Sequence, residues 1–247
     1  MNAFIYNTDN VFKTKEYSEY RRRFSWCFDS KYFTEETHKE LTSDYSISIK
    51  KYVAEVKSGI SDINTLYTCA EAVVFDSCGD EIYSYKITYD HDFSPKVIDH
   101  SNGNRYLFFK TELYGYSVLD LATREEFHYV PSCSFVDSSS YKATELRETF
   151  IIAGDVIYNP KNDILITNGC YWAAPYELLI LDFSKPMQMG RHVDCFSLLD
   201  EEVWDDDVVF KAWLGDDLQV TSCVNGDITI ARSEYAKWLY DVDIADI

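Results

Sequence analysis

Cysteine, histidine and carboxylate side chains are the groups here with chemistry to offer, and their spacing limits what that chemistry is. Seven Cys stand at positions 27, 69, 78, 133, 170, 195 and 223, with no C-x-x-C pair among them. An odd count without paired spacing reads neither as a disulfide framework nor as a zinc site. Reduced, mostly buried thiols of a cytoplasmic protein fit better. Cys170, in "NGCYWAAP", would need a base beside it to act as a nucleophile. No His occurs between His128 and His192, so that base is not local.

The densest metal-ligand set is Asp90, His91 and Asp92 with Asp99 and His100. Imidazole and carboxylate suit a divalent cation only where both turns meet in space. A polar connection between units is the commoner state of such residues, and no metal or cofactor is expected. The run "DEEVWDDDVVF" (200–210) carries Asp205, Asp206 and Asp207 but lacks the central Gly and terminal Glu of a calcium loop. Forty-two acidic residues make a carboxylate pair at glycosidase spacing easy to find by chance, so that pair alone says little. Sugar-stacking aromatics still keep glycoside hydrolysis or carbohydrate binding as a further alternative. The sequence holds no phosphate-binding P-loop, no G-x-G-x-x-G, no H-E-x-x-H and no G-x-S-x-G. The reading leans away from an enzyme.

Charge points the same way. The formal net charge is −19, which repels nucleic acid and anionic membranes, so neither is expected as a partner. Residues 1–50 balance eight bases with eight acids, whereas residues 194–247 hold fourteen acids against Lys211, Arg232 and Lys237. That asymmetry suits a basic partner as well as a plain solvated surface. No secretory leader is apparent at the N-terminus, and no apolar run is long enough to cross a membrane.

The elements behind these residues are strands. "SISIKKYVAEV" (46–56), "LYTCAEAVVFD" (66–76) and "EIYSYKITYD" (81–90) show the alternation of half-buried strands. Four runs follow, at Val97–Asp99, Arg105–Lys110, Gly115–Asp120 and Glu126–Val130, with Asn102-Gly103 as a tight turn. The order strand, turn, apolar strand, loop, strand ending in Asp recurs from 155 and, more weakly, from 208, where Asn225-Gly226 supplies a turn. The expected fold is all-β and mostly antiparallel, one domain of repeated meander units, propeller-like or a curved array, with a few short helices. Its units are 46–95, 96–154, 155–207 and 208–247, after an irregular segment 1–45. Within that segment "FIYNTDNVFKTK" reads as a hairpin, "YRRRFSWCFDS" as a strand, and "FTEETHKELTSD" as a short helix with Thr37 and Glu40 as its capping box. "SSSYKATELRETF" (138–150) reads as a short helix or structured loop. "SEYAKWLYDVD" (233–243) is either a helix capped by Ser233 or a last strand.

Residues 96–239 resemble WD40-type propeller blades, in which a later strand ends in Trp-Asp. The matching positions are Leu119-Asp120 and Leu181-Asp182; the Trp and the Gly-His opening of that family are absent. The resemblance implies a binding scaffold without a catalytic activity.

Two loops at the same stage of successive units concentrate aromatic side chains: "KTELYGYS", with Tyr114 and Tyr116, and "NGCYWAAPY", with Tyr171, Trp172 and Tyr176. Such residues either plug the space between units or form a docking platform, since Trp and Tyr dominate interface hot spots. The leading expectation is an intracellular module that binds a protein or peptide through this aromatic face and the acidic region around Asp205–Asp207. The alternative is an acidic inhibitor or immunity-type protein that neutralises a basic toxin or nuclease.

Overall fold

The computed structural model describes residues 15–23, 31–57, 64–88, 94–129, 150–171, 177–199, 208–222 and 225–239. They form four antiparallel sheets, each a meander in which consecutive strands pair. The first holds β1 (Lys31–Glu40), β2 (Tyr45–Lys57), β3 (Asn64–Asp76) and β4 (Glu81–Ile87). The second holds β5 (Lys96–Asp99), β6 (Arg105–Phe109), β7 (Tyr116–Asp120) and β8 (Glu126–Tyr129). The third holds β9 (Phe150–Asn159), β10 (Ile164–Tyr171), β11 (Glu177–Asp182) and β12 (His192–Asp194). The fourth holds β13 (Val208–Leu214), β14 (Asp217–Ser222) and β15 (Gly226–Ile230). Three helices accompany them: α1 (Lys15–Arg23), the single-turn α2 (Phe196–Leu199) and α3 (Arg232–Leu239).

Strand parity dictates how the sheets stack. Successive side chains point to opposite faces, so a strand apolar throughout must be covered on both sides. In β6 and β7 this is what happens. Tyr106, Phe108, Tyr116 and Val118 join a cluster with Ile152, Leu165, Leu179 and Leu181 of the third sheet. Their neighbours Leu107, Phe109 and Leu119 turn the other way, onto Ile47, Ala72, Val74 and Tyr85 of the first sheet. The third sheet repeats the device: Ile164, Ile166, Leu178 and Ile180 pack on Leu218, Val220 and Ile230 of the fourth. Burying each such side chain stabilises the stack by roughly 2 kcal/mol, so the central sheets have no reason to expose either face. The outer sheets alternate instead, as in β14, where every second residue is buried. No hydrophobic cluster among the described residues joins the first sheet to the fourth.

The turns account for the recurring Asp. Asp120 ends β7, and its Oδ1 accepts hydrogen bonds from the backbone N–H of Ala122 at 2.8 Å and Thr123 at 3.0 Å. Asp182 ends β11 and accepts from the Ser184 N–H at 2.9 Å. A short carboxylate that folds back on its own chain is a turn former, and this explains the shared position. Asn102-Gly103 turns as expected, with Gly103 at φ +88°.

Several expectations need correction. The segment expected as a helix at "FTEETHKELTSD" lies largely in β1, which belongs to the first sheet, not to an irregular N-terminal segment. A helix there would have been polar all round, with no apolar stripe to bury. As a strand it finds cross-strand partners: Glu35 with Lys51 at 3.3 Å, and Glu36 with Lys50 at 3.8 Å and the Ser48 hydroxyl at 2.8 Å. Tyr20 to Arg23, expected as strand, are in α1. The third sheet begins at Phe150, not 155, because β9 continues through a bulge at Ala153–Val156. The chain's last described element is helix α3, which takes the place of a fourth strand. It starts at Arg232, ahead of Ser233, and Glu234 accepts from the Ala231 N–H at 2.9 Å to close its first turn. The expected hairpin at 4–15 lies outside the described residues save Lys15, which opens α1, and the segment 138–150 lies outside them save Phe150, which opens β9. Among the described residues, no helix is long and apolar enough to cross a membrane.

Candidate functional site

The loop "KTELYGYS" links the second and third strands of its sheet, and the "NGCYWAAPY" segment spans the same connection in the next sheet. The first loop is well buried. Lys110, Thr111 and Glu112 are 3%, 4% and 2% exposed. Buried charge demands partners, and the loop collects them from three directions. The Tyr17 hydroxyl of α1 donates to Glu112 Oε1 at 2.8 Å, and Arg21, one turn later, forms an ion pair with the same oxygen. The Thr88 hydroxyl, just past β4, donates to Glu112 Oε2 at 2.5 Å. Lys110 Nζ donates to the Ile152 carbonyl of the third sheet at 3.0 Å. Gly115 closes the loop at φ +81°, and a Cβ there would stand 2.1 Å from the Tyr129 carbonyl oxygen. Only glycine fits that approach.

Tyr116 therefore does not belong to an exposed aromatic face. Its ring stacks on Phe108 at 5.0 Å, and its hydroxyl accepts from the Gly190 N–H at 3.1 Å. It opens a buried strand, so it serves the core. Tyr114, two residues earlier, is half-buried in the loop. Tyr171 is the last residue of β10, paired with Phe150. Trp172, Tyr176 and Asp205, Asp206 and Asp207 lie outside the described residues. The structure thus places Tyr114 and Tyr116 at the buried loop and Tyr171 at the end of β10; the rest of the expected set lies outside the described residues.

A second group continues from the same loop. The Thr111 hydroxyl is 3.3 Å from Ser117 Oγ, which is 2.8 Å from His128 Nδ1, and the Glu126 carboxylate stands 3.4 Å from His128 Nε2. Glu126 also accepts a hydrogen bond from Tyr83. Serine, imidazole and carboxylate in contact are the ingredients of a hydrolytic triad. Here Ser117 and His128 are each 1% exposed, so no scissile carbonyl reaches them. The group ties the first and second sheets together. Burial pushes the His128 imidazole below its ordinary value, against the opposing pull of Glu126, with Arg21 and Glu112 also acting on it. The unfolded chain takes up this proton near pH 6.5, and the folded chain only at lower pH. Stability attributable to His128 is therefore complete above that value and falls as pH drops. Thermal melts from pH 7 to pH 5 should show the loss, at up to about 1.4 kcal/mol per pH unit for this one proton. A His128→Asn variant should lose that slope; an unchanged slope would exclude His128 as its source.

Of the proposed metal set, His100 has both nitrogens engaged: Nε2 with the Phe183 carbonyl at 2.9 Å and Nδ1 with the Asn102 N–H at 3.1 Å. Asp99 binds Arg105 at 2.8 Å. Residues 90–92 are outside the described set. Cys69, Cys170 and Cys195 are buried, and burial pushes the Cys195 thiol up, away from a reactive thiolate.

The accessible feature is the outer face of the first sheet. It forms a concavity of about 400 Å³. Strand register sets Glu36, Lys50, Glu71 and Lys86 in one row across all four strands. The ends of the row are ion pairs, Glu36–Lys50 at 3.8 Å and Glu71–Lys86 at 3.6 Å. Beside it, His38, Ser48, Val73 and Ser84 make the next row, with Phe75 beyond. Sequence reading missed this row because its members are spread over fifty residues. The one trace was the alternation in β2 and β4, which puts lysines on a single face. Comparison with protein-family models, curated proteins and solved structures finds no match to this chain.

Proposed function

We propose that this protein is a non-enzymatic interaction module that binds a protein or peptide on the outer face of its first sheet. The observation that supports it is the four-strand row of alternating charge in an open concavity, beside Val73 and Phe75. The reactive-looking Ser117 and His128, by contrast, sit inside the stack. Rim charges in alternating order give orientation and exclude wrong partners more than they give affinity. Val73 and Phe75 supply apolar surface to desolvate. The blade-like meanders support a distant WD40-type scaffold role, and a loop-side surface around Trp172 and Tyr176 would be separate from this face. The test is quantitative affinity capture from the native cell with the wild type and a Lys50→Glu/Lys86→Glu variant of equal helicity and melting temperature. A genuine partner should fall about tenfold on the variant. Identical recovery of every captured protein would remove the reading.

The net charge of −19 favours a second reading, an acidic inhibitor of a basic protein. Its association rate would drop steeply with added salt; a salt-independent rate would reject it.

A further inference from the structure

Among the described residues, the first sheet ends on an open edge. Strand β1 pairs with β2 on one side, and among the described residues no strand pairs with it on the other. Every β1 residue from Tyr32 to Glu40 is exposed, and Tyr32 and Phe33 reach 71% and 59%. Beyond the bulge at Phe33–Glu35, β1 runs regularly to Glu40. A bare edge of that length offers unpaired N–H and C=O groups to another strand.

Which strand fits is written in the edge itself. In a twofold antiparallel pairing, a residue at the axis meets its own copy, and residues equally far on either side meet each other. Centring the axis on Thr37 sets Glu36 against His38 of the copy, Glu35 against Lys39, and Thr37 against Thr37. Each pair occurs twice or lies on the axis, and each shares a face of the sheet. Every neighbouring register fails. Axes at Glu35, Glu36 or Lys39 oppose that residue to itself, and an axis at His38 opposes Glu36 to Glu40. Like charges directly opposite each other destabilise a strand pair. We infer that β1 is a dimerisation edge and that its partner is a second copy of this chain, paired antiparallel about Thr37. The exposed Phe33 then lies alongside Leu41 of the copy, and the two first sheets join into one of eight strands whose outer face is continuous. This inference shares Glu36 and His38 with the proposed binding face, but its test varies Glu35 and Lys39, which do not line the concavity, so the two readings can fail separately.

The test is sedimentation equilibrium on four proteins and one mixture. Wild type should dimerise. Glu35→Lys and Lys39→Glu each set like charges together twice, and each should weaken the dimer about a hundredfold. Mixing the two single variants restores opposite charges at both positions, so the mixture should form a heterodimer as tight as the wild-type dimer. The double variant Glu35→Lys/Lys39→Glu should dimerise for the same reason. A monomeric wild type at its highest soluble concentration would overturn the inference. So would dimers that survive both single variants, or single variants that stay monomeric when mixed although both are folded.

Discussion

Replacing Glu112 with alanine should lower the stability of this protein by about 3 kcal/mol, the cost of leaving a guanidinium without its buried counter-charge. Glu112 is 2% exposed and its partner Arg21 is 22% exposed at the side chain, so the carboxylate is the more deeply committed of the two. The change also strips the Tyr17 and Thr88 hydroxyls of their acceptor. The figure sits at the low end of the range for broken buried pairs. Arg21 keeps bonds to the carbonyls of Thr111 at 3.3 Å and Lys86 at 3.2 Å, and water reaches part of it. For a chain of this length, the melting temperature should fall by about 6–12 °C. Glu112→Gln retains an acceptor and should cost about half as much. Removing both charges, as Glu112→Leu with Arg21→Met, should recover much of the loss, since an apolar pair can replace a buried ion pair. That recovery separates the charge effect from simple loss of packing. A Glu112→Ala protein within 0.5 kcal/mol or so of wild type would mean that α1 does not rest on this loop.

That prediction rests on residues the sequence hides. Glu112 meets Tyr17 across 95 positions, and no local pattern links them. The available trace is "FFKTELYG", where a cation and an acid interrupt apolar strands on both sides. Charges in such a place must be either solvated or paired. The central sheets were far more legible. Burial on both faces leaves continuous apolar runs, as in β6 and β7, and an Asp that closes a turn recurs where the geometry recurs. Strand β1 misled because local propensity favoured helix while its cross-strand partners, Lys50 and Lys51, lie beyond the next turn. Tyr116 misled for a related reason. Aromatic density marks both platforms and cores, and only the parity of β7 says that this ring faces Phe108. The charge row on the first sheet depends on the register of four strands at once, which no single stretch contains.

Alkaline pH should unfold this protein abruptly, with its buried tyrosines ionising only as the fold is lost. Burial raises Tyr17, Tyr83, Tyr85 and Tyr116 well above their ordinary value; Glu112 adds to the rise at Tyr17 and Glu126 at Tyr83. Tyr158 and Tyr235 are pushed up to about 12 by the same loss of solvent, with Asp163 adding to it at Tyr158. A raised folded value means that the stability these groups contribute is intact below pH 10, the unfolded value. It is lost as pH rises from there towards the folded values. Each phenol that stays neutral in the fold but ionises in the unfolded chain costs about 1.4 kcal/mol per pH unit. The four raised furthest together tilt the balance by roughly 5 kcal/mol per unit, against a total stability of some 5–15 kcal/mol. Unfolding should therefore be complete within about one to three pH units above pH 10. Tyrosinate absorbance should rise in two parts. A shallow phase near pH 10 comes from exposed phenols, and a steep phase coincides with loss of β-sheet circular dichroism. Tyr116→Phe should make that second phase less steep by one proton, because its phenol is enclosed at the centre of the stack. Smooth titration of every tyrosine near pH 10, with the sheet signal still intact, would contradict the burial on which the four-sheet core depends.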